Sequence, residues 1–351
     1  MNRNRLSIIV TSGIALFLAT ALWLDLIPRA HTVYSDTRLL MGTLVSISVW
    51  GHPKGKAETA MQKAFAEFAR LEEVLSWQRP TSEVSQVNQV SRETWVSIST
   101  ELGTLLQRGL LLGQRSEGAF SMALQPLTQL WGFSSEHQDE KPPAKEKLDR
   151  WLRLYPTVDA IRLMQKEDKS FHVQLANSAV GLDLGALGKG YAIDQAISVL
   201  RKEGIANAIV DAGGDLRVIG SKGSNPWRIG LQNPRQKDQI ISMSQLRGDI
   251  AMMTSGDYER FFLLENIRYH HILDPKTAEP ARTGLSSVSV QGKNAAEING
   301  LSTAIFVLGV EKGLRLLKQY PGSEALLISE KGEPTRTPAF IADWLQEPIK
   351  Q

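Results

Sequence analysis

Between Val180 and Asp194 the chain reads VGLDLGALGKGYAID, and this stretch limits the fold more than any other. Gly185, Gly188 and Gly190 bring no side chain to a core, so the segment cannot pack as an ordinary strand. Glycines there permit positive φ and close approach of the backbone to another group. Free N–H groups and one lysine, Lys189, at the entry to a helical run (Tyr191–Lys202) suit a phosphate. A tight strand-to-helix turn with a surface lysine accounts for the same residues, and this stretch alone leaves both readings open.

The rest of the chain has the makings of a mixed α/β or α+β core. A first strand is expected over Thr37–Val49 and an amphipathic helix over Gly55–Leu75, running into a polar loop with Trp77 exposed at its start. A second helical run covers Ser97–Ser116. Pro126 and Gly132 break up Gly118–Phe133, and Ser134–Lys147 reads as a charged surface excursion. Strands are expected at Ser170–Leu175, on both sides of a sharp turn at Gly213–Gly214–Asp215, and at Trp227–Leu231. The last third alternates strand, helix and strand: Ser286–Val290, Ala295–Lys318 and Ala325–Ile328.

Ahead of this lies Leu6–Leu24, uncharged and largely apolar, preceded by Arg3 and Arg5. Its length is close to the ~20 residues that span a bilayer, and the positive flank orients it for export. Ala19-Thr20-Ala21 fits a cleavage site, so residues 1–30 are expected to be a signal peptide or an inner-membrane anchor, with the working domain at 31–345. The absence of cysteine excludes disulfides, thiolate metal sites, a cysteine nucleophile and a lipid-modified N-terminal cysteine. A net charge of +3 with no basic stripe interleaved with aromatics argues against nucleic acid.

Four polar clusters stand at the ends of apolar runs, where α/β proteins place sites: Asp183–Lys189, Gly213–Asp215, Thr254–Asp257 and His270–Asp274. Asn299 and Thr303, four apart in a helical run, project two oxygens from one face and can ligate Mg²⁺. On spacing alone, a polar stripe with Thr303 bonded back to a carbonyl is the simpler reading. No H-E-x-x-H, G-x-S-x-G or post-strand G-x-G-x-x-G occurs.

In order, MGT (Met41–Thr43), LSW…SEVSQVN (Leu75–Asn88), GAF…PLTQLWGF (Gly118–Phe133), LDLGALGKGYAID (Leu182–Asp194), AGGD (Ala212–Asp215), TSGDYERFF (Thr254–Phe262), HHILDPKT (His270–Thr277) and LSTAIFVLG (Leu301–Gly309) resemble the ApbE-type FAD:protein FMN transferases. The resemblance runs from about Met41 to Ile328. It implies an α+β fold of T-fold-like mixed sheets with packed helices, following the export helix. It further implies Mg²⁺-dependent transfer of FMN from FAD to a threonine or serine hydroxyl of an exported or membrane-bound redox protein, with release of AMP. Flavin contacts are then expected at Met41, Trp77, Ala119, Phe120, Ser121, Asp183, Lys189 and Ile272, with Ser255 and Asp257 of the TSGD element beside them. Metal contacts fall on the Ala186 carbonyl, Asn299 and Thr303, and His271 is the catalytic candidate. The implied acceptors are subunits of a sodium-pumping quinone reductase, related electron-transport complexes, or a regulator of nitrous-oxide reduction, at the periplasmic face of the inner membrane.

Three positions depart from the family pattern. Asn299 and Ser121 stand where aspartates are usual, and Ala278 where glycine is usual. The loss of a ligand charge at position 299 admits other outcomes: a flavin-binding accessory protein with weak transfer, or hydrolysis of FAD to FMN and AMP.

Overall fold

A computed structural model describes residues 32–90, 94–133, 141–156 and 160–350. The expected export segment therefore lies outside the described residues, as does the first half of the Ser134–Lys147 excursion. Among the described residues no helix is long and apolar enough to cross a membrane.

The first part of the chain runs β1 (Val33–Leu40), β2 (Thr43–Trp50), α1 (Lys54–Leu75), α2 (Glu83–Val90), β3 (Val96–Ile98), α3 (Thr100–Arg115), α4 (Gln125–Trp131), α5 (Lys145–Leu154), β4 (Ile161–Gln165) and β5 (Phe171–Leu175). The second part runs α6 (Gly185–Lys202), β6 (Ala208–Ala212), β7 (Asp215–Ile219), β8 (Trp227–Asn233), β9 (Gln236–Leu246), β10 (Ile250–Gly256), β11 (Phe261–Leu264) and β12 (Ile267–His270). It closes with β13 (Leu273–Asp274), β14 (Glu279–Pro280), β15 (Leu285–Gly292), α7 (Ala295–Leu317), β16 (Glu324–Ser329), β17 (Pro334–Arg336) and β18 (Asp343–Lys350).

The fold is α+β. One eight-stranded sheet has the order β1-β2-β6-β7-β10-β15-β16-β17, and every pairing in it is antiparallel. A parallel contact occurs as an isolated bridge between Leu124 and Gly181. One face of this sheet buries Val45, Ile47, Val210, Met253, Val288 and Val290 against α1, α6 and α7. Its other face, through Leu216, Val218, Met252 and Ile328, packs on a second layer of order β18-β9-β8. Period-two alternation puts the two residue sets on opposite faces of the sheet, as the neighbours Met252 and Met253 of β10 show.

The expected strand over Thr37–Val49 is in fact a hairpin. Met41 and Gly42 both take positive φ (51° and 70°) and join β1 to β2 by a two-residue turn of the kind right-twisted strands favour. Methionine carries no turn signal, so hydrophobic alternation runs straight through it. The β6–β7 turn is of the same kind, with Gly213 and Gly214 at φ 67° and 89°. The glycine stretch also differs from the expected loop, because α6 already begins at Gly185. Gly190 explains the need for glycine. A Cβ there would stand 2.3 Å from the Ala295 carbonyl oxygen, so its absence lets α6 and the start of α7 touch backbone to backbone. Asp194 of α6 then caps α7, its two oxygens accepting from Ala295 N and Ala296 N at 3.1 Å each. Arg217 of β7 pairs with both Asp194 and Asp249.

Candidate functional site

The hairpin turns, the start of α6 and the start of α7 meet at one end of the main sheet and enclose a cleft of about 1090 Å³. Thirteen of the fourteen residues singled out from the sequence line it: Met41, Trp77, Ala119, Phe120, Ser121, Asp183, Ala186, Lys189, Ser255, His271, Ile272, Asn299 and Thr303. They come from segments far apart in the chain, and the antiparallel connections bring them to one rim. Asp257 is the exception. Its carboxylate is buried and takes a bidentate pair from Arg235 at 2.6 and 2.8 Å, away from the cleft lining.

The floor begins at Asp183. One oxygen accepts from Gly185 N at 3.0 Å, the other from the Thr128 hydroxyl at 3.0 Å. This fixes the N-terminus of α6 at the cleft, where Gly185 N is taken by Asp183 and both Leu187 N and Gly188 N by the Leu184 carbonyl. One turn on, Lys189 reaches the buried carboxylate of Asp215 as an ion pair. The other Asp215 oxygen accepts from Thr254 N at 2.9 Å. Asp211 lies beside them and accepts from Gly214 N at 2.9 Å; burial, reinforced by the Asp215 charge, raises its pKa.

Trp77 follows α1, half-buried against the core rather than exposed, with its carbonyl held by the Ser85 hydroxyl at 2.7 Å. Opposite it, Ser116 Oγ accepts from Phe120 N at 3.1 Å and Ser121 Oγ meets Tyr155 Oη at 2.7 Å. Ser121 also accepts from Ala123 N at 3.1 Å, so this serine shapes the wall by local bonding.

The two adjacent histidines separate cleanly. His270 is buried, with Nε2 3.0 Å from the Ala281 carbonyl and Nδ1 accepting from Ile272 N at 3.3 Å. That pattern is a neutral ring, and burial pushes its pKa down to about 4. His271 is half-buried and lines the cleft. Its Nδ1 lies 3.3 Å from the Arg260 carbonyl, which also accepts His271 N at 3.0 Å. Desolvation, then the nearby Arg260, His270 and Lys189, hold its pKa well below 6.5. A carbonyl partner for Nδ1 makes that nitrogen the donor and leaves Nε2 as a base.

Among the described residues no cluster of three or more His, Cys, Asp or Glu side chains forms a metal site. The residues singled out for Mg²⁺ are of another kind, being neutral oxygens. Asn299 is buried, and its Oδ1 accepts one long bond from Gly190 N at 3.3 Å, leaving a lone pair. Thr303 Oγ1 lies 3.1 Å from Ser255 Oγ and 3.4 Å from the Asn299 carbonyl. Such a set fits an ion that keeps waters and takes its charge compensation from phosphate oxygens.

Several lining groups were not legible as site residues. Asp211, Arg260 and Glu259 line the cleft. Asp211 alternates with core residues of β6, and Arg260 and Glu259 sit in a charged turn. Glu259 and Arg260 stand inside the TSGDYERFF element without having been singled out, and for Asp211 the nearest signal was the adjacent Gly213–Asp215 turn.

The ApbE family model matches residues 41–327. The FAD:protein FMN transferase of Treponema pallidum is 33% identical over 313 residues, covering 84% of each chain. Among solved structures, the ApbE protein of Thermotoga maritima is 32% identical with a TM-score of 0.79, covering 88% of this chain and 98% of that one. The flavin transferase ApbE of Vibrio cholerae is 25% identical with a TM-score of 0.77 over the same shares. With the family model matching residues 41–327 and a relative 33% identical over 84% of each chain, this chain belongs to the ApbE family.

Proposed function

We propose that the protein transfers FMN from FAD to a threonine or serine hydroxyl of a redox protein and releases AMP. The observation that carries this is the convergence, in one cleft, of an aromatic wall at Trp77, a helix N-terminus with Lys189, and a neutral His271 whose Nε2 is available. The relatives' names supply the reaction class.

The acceptor oxygen attacks the FMN-side phosphorus. A new P–O bond forms, the bridging P–O bond breaks, and AMP leaves with the bridging oxygen and its electron pair. The hydroxyl proton passes to His271 Nε2, an assignment that suits a base neutral at working pH. Transfer of this kind needs positioning and charge neutralisation more than covalent help. Lys189 and the α6 N-terminus offer positive potential to the pyrophosphate, and Asp215 orients Lys189 by the ion pair above. Asn299, Thr303 and the Ala186 carbonyl would hold Mg²⁺, which supplies further positive charge at the phosphates when bound. Residues 31–345 form the catalytic domain in this reading. Residues 1–30 export it to the periplasm or anchor it in the inner membrane, where its acceptor stands.

The test is the full-length protein with FAD, Mg²⁺ and a purified redox subunit bearing a threonine acceptor site, read by in-gel fluorescence and intact mass. Gain of one FMN, abolished by EDTA and by His271→Ala, is expected. Asn299 favours one second reading, a flavin holder with a weakened metal site. Bound FAD without acceptor labelling, rescued by Asn299→Asp, would establish that reading and refute the first.

A further inference from the structure

The cleft is longer than the residues assigned to the flavin. Beyond Lys189 and Asp215 it continues between the two sheet layers, where it is lined by Leu216, Ile229, Gly230, Leu231, Gln232 and Met252.

Four of these residues are consecutive in β8. Neighbouring residues of a strand point to opposite faces, so a run of four can line one cavity only where the cavity meets the strand edge-on. Gly230 makes the point directly. It has no side chain, and a Cβ there would point at Ile240 of β9, so what it shows the cleft is backbone. β8 is also the end strand of its layer. It pairs with β9 on one side, and among the described residues no strand pairs with it on the other. The β8 side of the cleft is thus a main-chain edge with backbone N–H and C=O groups to offer, the feature by which sheets take in an extended peptide. At the mouth, the facing pair Leu39 and Leu44 at the β1–β2 turn is exposed by 74% and 63%, and Leu39 lines the cleft.

We infer that this second lobe is the acceptor subsite. An extended segment of the acceptor protein lies along the β8 edge by main-chain pairing and presents its serine or threonine hydroxyl toward His271. The inference rests on the transferase reading, since only that reaction requires a polypeptide hydroxyl in the same cleft. It predicts recognition of extended backbone near the modified residue.

The chain has no cysteine, so one introduced thiol is a unique handle. Gln232→Cys and, as a control in an exposed turn, Glu167→Cys would each be made in the full-length protein. Each is compared before and after capping with a bulky maleimide, using FAD, Mg²⁺ and the purified threonine-bearing redox subunit. Capping at 232 is expected to raise the acceptor KM at least tenfold, or abolish labelling, while the FAD dissociation constant stays within twofold; capping at 167 changes neither. Unchanged acceptor kinetics after capping at 232 would overturn the edge-docking inference and leave the transferase reading standing. Loss of FAD affinity on capping at 232 would place flavin in this lobe and overturn it likewise. If uncapped protein binds FAD but labels no acceptor, the transferase reading fails and this inference with it.

Discussion

Replacing Gly190 by alanine tests the contact on which the site is built. On an isolated helix the change would stabilise by up to about 1 kcal/mol, because glycine is the poorer helix former. Here the new Cβ would lie 2.3 Å from Ala295 O, 2.6 Å from Ala295 C and 2.9 Å from Ala296 Cα. All three obstacles are backbone, so no side chain can swing aside, and α6 and α7 must part by roughly 1 Å to restore ordinary contact. Overpacking of this kind costs about 1–3 kcal/mol. The same movement stretches the two bonds by which Asp194 caps α7, each worth about 1.5–3 kcal/mol to a charged acceptor. A net loss of about 2–4 kcal/mol follows, a shift of roughly 1 M or more in a urea midpoint. FAD affinity should fall with it, because Asn299 meets Gly190 N in this contact. Urea unfolding followed by tryptophan fluorescence, with FAD titration, measures both. Gly55→Ala is the control, at a helical glycine with nothing within 4 Å of the added carbon, and should be neutral or stabilising. If Gly190→Ala proves as stable as the parent, the helices do not approach as described and the account of the glycine stretch fails.

Other outcomes follow from single contacts. His270 has a folded pKa of about 4 against an ordinary 6.5, so the unfolded chain takes up the proton first. Its contribution is whole above about pH 6.5 and declines toward pH 4 by about 3 kcal/mol; denaturant midpoints at pH 7.5, 5.5 and 4 should fall in that order, and His270→Gln should flatten the trend. Asp257→Asn breaks a buried pair with the partly exposed Arg235 and should cost about 2–4 kcal/mol, yet leave the FAD dissociation constant within twofold in an equilibrium titration. Lys189→Met should lower kcat for transfer by about 10²–10³, the usual loss when a charge-stabilising donor is removed; an unchanged kcat would remove Lys189 from the reaction. Since His271 is held neutral by its surroundings, the acid limb of kcat/KM should lie below pH 6.5 and move up in Arg260→Gln, which removes a nearby positive charge.

Much of the site was legible because its residues break local rules. Three glycines in a helical stretch, a Gly-Gly-Asp turn and adjacent histidines before Asp-Pro are costly or unusual unless something uses them. What local pattern could not supply was partnership. His270 and His271 are indistinguishable in sequence, yet one ring is locked between Ala281 and Ile272 while the other faces the cleft. Asp257 reads as a site residue in TSGD and is instead held by Arg235, 22 residues away. The long strand β9 was missed because its first positions are exposed polar residues, which blurs the alternation.

By itself the sequence determined the class of fold, the order of its motifs and their membership of one family. Periodicity and turn chemistry, acting over a few residues at a time, narrowed the fold to a mixed α/β or α+β core, and the resemblance of the ordered motifs implied α+β and the family. The tertiary structure alone decided which polar groups are satisfied by each other and which remain open to a ligand. It also decided that, among the described residues, no strand pairs with the outer edge of β8 along the same cleft. Both depend on contacts between residues far apart in the chain, where burial and neighbouring charge, rather than residue type, determine what a side chain can do.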